Sequence, residues 1–135
     1  INVFGEELMV ENTDKAIAIT CKEFNCEMID YTVAPVFMEG KEKGAHEWII
    51  EFKTNPDCID NFSILLDNTL QELNSDYEAK RSNNITLNSL KINVARKNLF
   101  YDWLKNQNKL GGQNKVPRLS NDRKYLESIL EIQYT

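Results

Sequence analysis

Apolar side chains recur at every third or fourth position early in the chain, which is the spacing of one face of an α-helix. The repeat consists of Ala16, Ile17, Thr20, Cys21 and Phe24. Asn12 or Thr13 stands before it, and a side-chain oxygen there can accept the free N–H groups of a first helical turn. We therefore expect a first helix that begins at one of these two residues.

The next stretch changes to residue types that suit a pleated strand. Glu27 to Met38 is rich in isoleucine, tyrosine, threonine, valine and phenylalanine, which favour β-structure. Gly40 to Gly44 combines glycine with mixed charges, so we expect a loop there. Trp48 to Phe52 has strand character again. The two strands are predicted to pair as a hairpin.

A helix start signal precedes the longest helical repeat. Asn55-Pro56-Asp57 combines a capping side chain, a proline in the first turn and an acid, as helix N-termini often do. The apolar positions that follow at helical spacing are Ile59, Phe62, Leu65, Leu66, Thr69, Leu70 and Leu73. We expect this helix to be the longest one and to extend as far as Tyr77 or Arg81.

The last part of the chain adds one strand and two helices. Leu90 to Ala95 is predicted to be a strand, and Leu99 to Leu104 to open a short helix. Leu110 to Arg118 contains glycines and a proline, which predicts a loop, and Ser120 to Arg123 is expected to cap a final helix. The sequence thus predicts one α+β domain over residues 1–135, with a small, mostly antiparallel sheet flanked by helices.

The composition is that of a single globular domain. The chain has 135 residues, of which 41% are hydrophobic and 27% are charged, enough to bury a core without disulfides or metals. No apolar run approaches the ~18 residues of a membrane span, so no membrane partner is expected. The net charge of −5 argues against a general nucleic-acid binder, which needs a basic face.

The cysteines and the single histidine offer little metal or nucleophile chemistry. Cys21, Cys26 and Cys58 are odd in number and lack Cys-x-x-Cys spacing, which favours reduced thiols in a cytoplasmic protein. Cys21 falls within the first predicted helix, where we expect a core residue and not a nucleophile. His46 alone cannot form a histidine-based zinc site, and its position predicts a residue at a strand edge.

The charges are distributed unevenly along the chain. Between Lys109 and Lys124 there are five basic residues and one acid, so this window carries +4 and the remainder carries −9. The window surrounds a glycine-rich loop, and glycine lets a backbone approach an anion closely while lysine and arginine favour phosphate. The spacing is not that of a Walker loop. From these residues alone, an anion-binding loop and a solvated surface loop are about equally plausible.

The same loop resembles a motif of a known enzyme family. Gly111-Gly112-Gln113-Asn114-Lys115-Val116-Pro117-Arg118 is similar to the C-terminal lysine loop of the auxin-responsive acyl-acid amido synthetases, which carries Gln-x-Lys-x-Pro-Arg. Asp30-Tyr31-Thr32, Leu70 to Tyr77 and Asn98 to Leu104 resemble further segments of that family, in order along the chain. Phe4-Gly5-Glu6-Glu7 looks typical of the bacterial branch.

The resemblance implies the C-terminal lid domain of an adenylate-forming enzyme. In that superfamily a large N-terminal domain holds most of the site for ATP, Mg²⁺ and the acyl acid, and a small C-terminal domain pivots over it. We therefore expect residues 1–11 to lie near the interdomain hinge, with the large domain absent. The first residue, Ile1 in place of methionine, agrees with a fragment. We expect the isolated domain to be inactive.

The implied reaction has two halves. A carboxylic acid attacks the α-phosphate of ATP and releases pyrophosphate, and the acyl group then passes to an amine, usually an amino acid. Lys115 is the candidate for stabilising the charge that develops in the first half. Gly111, Gly112 and Gln113 are the candidate ATP and phosphate loop. Arg118 is expected either to pair with a phosphate or to fix the loop to its own domain.

Two other functions remain open. One is the C-terminal domain of an acyl-CoA or aryl-CoA ligase, in which a thiol accepts the acyl group. The other is a non-catalytic α+β module that binds a nucleotide or a protein. Asn74 and Tyr77 match the family without a derivable role, and we expect them to cap or pack the long helix. The acyl acid and the amino acid stay unnamed because their specificity belongs mainly to the absent domain.

Overall fold

The computed structural model describes residues 1–38, 43–84, 86–107 and 115–134. The helices in these segments are α1 (Val10–Glu23), α2 (Ile59–Leu73), α3 (Ser75–Arg81), α4 (Leu99–Asn106) and α5 (Lys124–Glu131). The strands are β1 (Glu27–Met38), β2 (Lys43–Thr54) and β3 (Lys91–Val94), and a short 3₁₀ turn, Ser82–Asn84, follows α3. Gly111, Gly112 and Gln113 lie outside the described residues.

The three strands form one sheet in the order β1-β2-β3. The predicted hairpin is confirmed, because β1 and β2 are antiparallel over their length, from Glu27 opposite Thr54 to Met38 opposite Lys43. β3 runs parallel to β2, with Lys91 opposite Glu47. The α+β class is therefore confirmed, and the sheet is mixed. β2 is longer than predicted because pairing with β1 extends its regular structure beyond the apolar run.

Helices cover both faces of the sheet. Successive side chains of a strand point to opposite faces, and β2 accordingly sends Trp48 and Ile50 into one core and Ile49 into the other. The first core is completed by α1 and α2, and the second by α4 and α5. Cys21 is buried in the first core, which confirms the prediction of a core residue. None of the helices in the described segments has the length and apolar character needed to cross a bilayer.

The start of α1 differs from the prediction. The helix begins at Val10 with Met9 at the cap position, so Asn12 and Thr13 both lie inside it. Asn12 still stabilises the first turn, because its Oδ1 accepts the Met9 N–H at 3.1 Å. The hydroxyl of Thr13 points inward instead and lies 2.7 Å from the Tyr31 hydroxyl.

The predicted long helix is divided into two. α2 ends at Leu73, and α3 begins after Asn74, whose side chain accepts the Tyr77 N–H at 2.8 Å. The same asparagine donates from Nδ2 to the carbonyl of Glu7 at 2.8 Å. Tyr77 is buried, and its hydroxyl donates to Asp67 at 2.5 Å. Asn74 therefore caps α3, and Tyr77 packs into the first core. The predicted start at Asn55 is early, since α2 begins at Ile59.

The first nine residues pack into this domain, and they correct one prediction. Phe4 and Leu8 belong to the first core. Glu6 lies between them and is 0% exposed, with its Oε2 at 2.5 Å from Nε2 of His46. His46 is 1% exposed on the central strand, so the prediction of a strand-edge histidine is wrong. The buried carboxylate is the reason, since it gives an interior histidine a hydrogen-bond partner.

Candidate functional site

The segment 117–120 lies along the outer edge of β1. The Val33 N–H donates to the carbonyl of Arg118 at 2.8 Å, and the Ser120 N–H donates to the carbonyl of Val33 at 3.0 Å. Val33 and Leu119 form a parallel β-bridge. The C-terminal end of the glycine-rich loop is therefore fixed to the sheet by backbone hydrogen bonds.

Arg118 adds a side-chain attachment to the same edge. Its Nη1 lies 2.6 Å from Oδ1 of Asp30, and its guanidinium carbon lies 4.4 Å from the centre of the Tyr31 ring. Asp14 of α1 approaches from the other side, with 3.9 Å between its Oδ1 and Nε of Arg118. Asp14 also accepts a hydrogen bond of 2.5 Å from the Tyr31 hydroxyl. The Arg118 side chain thus contacts two carboxylates and one aromatic ring of its own domain.

Two motifs that are far apart in the sequence meet here. Asp30 and Tyr31 contact the Arg118 side chain, and the Thr32 hydroxyl donates to the carbonyl of Pro117 at 2.6 Å. Each residue of the Asp30-Tyr31-Thr32 strand motif therefore contacts the end of the lysine loop. The strand motif and the C-terminal end of the loop motif therefore form one structural unit.

Burial shapes the ionisation of this unit. Burial raises the pKa of Asp30 above its usual value, although the positive charges of Arg118 and Lys115 work in the opposite direction. Burial also raises the pKa of the Tyr31 hydroxyl, and its hydrogen bond to Asp14 adds to the effect. The Tyr31 hydroxyl therefore stays protonated at neutral pH and serves as a fixed donor.

Lys115 stands at the beginning of the attached segment. Its side chain is exposed, whereas the next residue, Val116, is buried in the second core. Lys115 makes no hydrogen bond or ion pair with any residue that the structure describes. Its positive charge nevertheless opposes, to a small extent, the rise that burial causes in the pKa of Asp30, so the two groups interact electrostatically. Lys115 therefore exposes its ammonium group next to a segment whose backbone is hydrogen-bonded to β1.

Arg123, another cation of the basic window, is engaged by the sheet. Its Nη1 donates to the carbonyl of Pro35 at 3.0 Å and lies 2.9 Å from Oε1 of Glu47. Lys124 is exposed, with its ammonium 5.8 Å from the Tyr125 ring centre. Part of the local excess of positive charge is thus offset by carboxylates of the sheet, which a count along the sequence does not reveal.

A cleft lies beside Arg118, between α1 and the start of β1. Its volume is about 500 Å³. The residues that line this α1 cleft are Asp14, Ile17, Ala18, Cys21, Lys22, Cys26, Glu27, Met28 and Arg118. Sequence reasoning missed Asp14 because it lies on the polar face of an amphipathic helix. In the described part of the chain, no cluster of three or more His, Cys, Asp or Glu residues is arranged to hold a metal ion.

The fold and the site define a small α+β domain that presents a lysine from a segment fixed to its sheet. Residues 11–124 match the family described as the GH3 family C-terminal domain. Because the match spans most of the chain, the chain belongs to the GH3 family and forms its C-terminal domain.

Two solved structures show the same fold. The chain is similar to a GH3.15 acyl acid amido synthetase, with 18% identity and a TM-score of 0.73 over 98% of this chain and 24% of that one. It is also similar to the structure of AtGH3.15 acyl acid amido synthetase in complex with 2,4-DB, with 17% identity and a TM-score of 0.66, covering 91% of this chain and 23% of that one. No curated protein matches the chain significantly. The chain thus spans about a quarter of the length of these relatives.

Proposed function

We propose that this chain is the C-terminal domain of an ATP-dependent acyl-acid amido synthetase, in which Lys115 completes the adenylation site on a larger N-terminal domain. The observation that carries the proposal is the position of Lys115. It is exposed and free of ion pairs with the described residues, and it precedes a segment that Arg118 and the β1 edge hold in place.

An available lysine suits the chemistry of adenylation. When a carboxylate attacks the α-phosphate of ATP, negative charge develops on the phosphate oxygens, and a nearby ammonium group stabilises it. A lysine already paired with an acid of its own domain would first have to break that pair. Lys115 carries no such cost within the described residues. ATP and Mg²⁺ are the proposed cofactors, held mainly by the N-terminal domain.

Arg118 is proposed as a positioning residue. Its contacts with Asp30, Tyr31 and Asp14 engage the guanidinium within its own domain. Its function in this proposal is to hold the backbone from which Lys115 projects. Gly111, Gly112 and Gln113 remain the proposed phosphate-binding loop.

The wider assignment follows the resemblance of the lysine loop. We place the protein in the adenylate-forming superfamily and in the bacterial branch of the amido synthetases, as a cytoplasmic enzyme. Its proposed partners are its own N-terminal domain, a small carboxylic acid and an amine such as an amino acid. The C-terminal domain is proposed to act as a mobile lid, since a group needed in only one half-reaction must be able to leave.

The test is ATP–pyrophosphate exchange by the protein that contains this domain, measured over a panel of carboxylic acids. Lys115→Ala should reduce acid-dependent exchange by about 10²-fold or more, the usual effect of losing one charge-stabilising group. Lys124→Ala is the matched control, because it removes another exposed lysine from the same basic window. Exchange that is equally insensitive to both substitutions would remove Lys115 from the chemistry.

The acceptor in the second half-reaction distinguishes the amido synthetase from a CoA ligase. With an acid that supports exchange, amino acids and coenzyme A are offered separately, and the amide or thioester product is identified by mass spectrometry. Amide formation supports the proposal. Thioester formation without amide would assign the protein to the ligases that use a thiol acceptor.

A further inference from the structure

Two cysteines meet where the first helix ends. After α1, Asn25 adopts the left-handed conformation with a φ of 55°. Its N–H donates to the carbonyl of Lys22 at 3.3 Å, and the Cys26 N–H donates to the carbonyl of Cys21 at 3.0 Å. This pair of hydrogen bonds is the Schellman arrangement, in which the chain folds back over the last helical turn.

The Schellman arrangement brings two particular side chains together. The residue two positions beyond the helix cap usually makes a hydrophobic contact with a residue of the last turn. Here both positions are cysteines, and besides burial each thiol affects the pKa of the other, as neighbouring sulfur atoms do. Both belong to the first core, with exposed fractions of 8% for Cys21 and 7% for Cys26.

One side of the thiol pair borders a cleft. Cys21 and Cys26 both line the α1 cleft, which opens to solvent and has a volume of about 500 Å³. The cleft gives a small molecule an approach to the side of the turn at which the two cysteines lie. Cys58 is exposed at the start of α2 and takes no part in this cleft.

Two adjacent thiols without further ligands suit disulfide formation better than metal binding. A tetrahedral zinc site needs four ligands, and the described residues contain no group of three or more candidates. A disulfide needs only that two cysteines come within the usual Cα separation of about 4.4–6.8 Å with their side chains facing each other. In a Schellman turn the side chains at these two positions face each other, and we infer that relation for Cys21 and Cys26.

We propose that Cys21 and Cys26 form a reversible dithiol–disulfide site that reacts with disulfides of small thiols, of the glutathione class. The Cys26 thiolate attacks one sulfur of the small disulfide, which gives a mixed disulfide and releases one small thiol. The Cys21 thiolate then attacks the Cys26 sulfur, closes the protein disulfide and releases the second small thiol. Both protein protons end on the two released thiols.

The order of attack follows from the effect of each thiol on the other. Cys26 adds to the rise that burial causes in the pKa of Cys21, whereas Cys21 opposes the effect of burial on the pKa of Cys26, so the thiolate of Cys26 forms more readily. Burial raises the pKa of both thiols, to about 12 for Cys21. The exchange is therefore slow at neutral pH, and its rate should rise about tenfold for each unit of pH because only the thiolate reacts.

The consequence of oxidation would be local. The disulfide ties the last turn of α1 to the beginning of β1, in the wall of the cleft that Asp14 and Arg118 also line. Oxidation thus changes the surface next to the attachment of the lysine loop. The site does not depend on the proposed synthetase activity and is tested separately from it.

The test uses the 135-residue chain with Cys58→Ser, which removes the exposed thiol. The chain is incubated with oxidised glutathione at pH 7.5 and pH 8.5, and its mass and remaining thiols are measured over time. We expect the loss of two hydrogen atoms, loss of both alkylatable thiols, a rate about tenfold higher at pH 8.5, and full reversal by dithiothreitol.

Two matched variants show the intermediate. With Cys58→Ser present, Cys21→Ser should stop at one bound glutathione on Cys26, and Cys26→Ser should react much more slowly. Circular dichroism verifies that each variant is folded. Stable attachment of glutathione to the folded Cys58→Ser chain without ring closure would overturn the proposal. So would two thiols that remain free after prolonged oxidation at pH 8.5.

Discussion

Nη1 of Arg118 lies 2.6 Å from Oδ1 of Asp30, although the two residues are separated by 88 positions in the chain. The guanidinium carbon of Arg118 lies 4.4 Å from the centre of the Tyr31 ring, over its face. The C-terminal end of the lysine loop is therefore attached to β1 by a charged pair, by the Thr32 hydroxyl and by the backbone bonds of Val33. The position of Lys115 depends on this attachment.

Loss of the arginine should loosen the segment locally. Arg118→Ala removes the contact with Asp30 and leaves the backbone bonds of Val33 and the bond from the Thr32 hydroxyl to the Pro117 carbonyl. We expect the amide hydrogens of Val33 and Ser120, which form those bonds, to exchange at least several-fold faster. The free energy of unfolding should fall by only about 1 kcal/mol, because the pair is partly exposed. Hydrogen exchange followed by NMR measures the first effect, and urea denaturation the second.

Lys53→Ala is the control for this prediction. Lys53 and Glu27 form an ion pair of 3.7 Å in which both side chains are about 70% exposed, so its loss should change neither exchange nor stability measurably. Unchanged protection of Val33 and Ser120 in the Arg118 variant would show that the Arg118 side chain is not needed to hold the segment.

The sequence patterns predicted which helices and strands occur better than they predicted the residues at which these begin and end. β1 was predicted with the bounds Glu27–Met38 that the structure shows, because its residue types favour strands throughout. The start of β2 was missed because Gly44 and its neighbours have little strand character. Gly44 is ordered instead by backbone bonds with Thr86 at 3.0 Å and Asn88 at 2.8 Å. Such bonds depend on distant residues and leave no periodic signal.

The contacts around the candidate site could be predicted only in part for the same reason. Lys115 and Arg118 were proposed as site residues from a motif, but a motif does not say which carboxylate an arginine contacts. The contact of Arg118 with Asp30 and the burial of His46 against Glu6 both join distant parts of the chain. A polar residue is predicted to be exposed unless its buried partner is known. This is why the sequence predicted His46 at a strand edge.

Glu6 should make stability depend on pH in the acid range. Burial by itself would raise the pKa of Glu6, but the hydrogen bonds from His46 and the Phe4 N–H, with the charge of His46, outweigh burial and lower it. A carboxylate with a lowered pKa stabilises the fold above its ordinary pKa of 4.5, and the stabilisation is lost as the pH falls through the folded value.

Glu6→Gln should therefore remove this pH dependence. At pH 7 we expect the free energy of unfolding to fall by about 1–3 kcal/mol, because the charged hydrogen bonds to His46 and Phe4 are weakened. The difference from wild type should shrink below pH 4.5. Urea denaturation at several pH values measures both effects. Glu7→Gln removes an exposed neighbouring charge and should have little effect, and a constant difference at all pH values would contradict the assignment.

Asn74 should matter more than an ordinary helix cap. Its Oδ1 caps α3 through the Tyr77 N–H, and its Nδ2 donates to the Glu7 carbonyl and to Oδ1 of Asn12. Asn74→Ala loses all three bonds, so we expect a loss of about 1–2 kcal/mol by urea denaturation. Asn74→Asp keeps the cap and loses the amide donor, and its stability should be intermediate. Equal stability of the two variants would show that the cap contributes nothing measurable.

Gly44 occupies a position with no space for a side chain. A Cβ built on Gly44 would lie 2.3 Å from Cζ of Phe4 and 2.3 Å from the carbonyl oxygen of Val36. Gly44→Ala should therefore destabilise the chain by about 1–3 kcal/mol, the usual cost of overpacking, as judged by urea denaturation. Adding Phe4→Leu removes the ring and should recover part of the loss relative to Phe4→Leu alone. Recovery must remain incomplete because the contact with the Val36 backbone persists. An unaffected single variant would show that the hairpin and the first residues adjust freely, and that Phe4 does not fix their spacing.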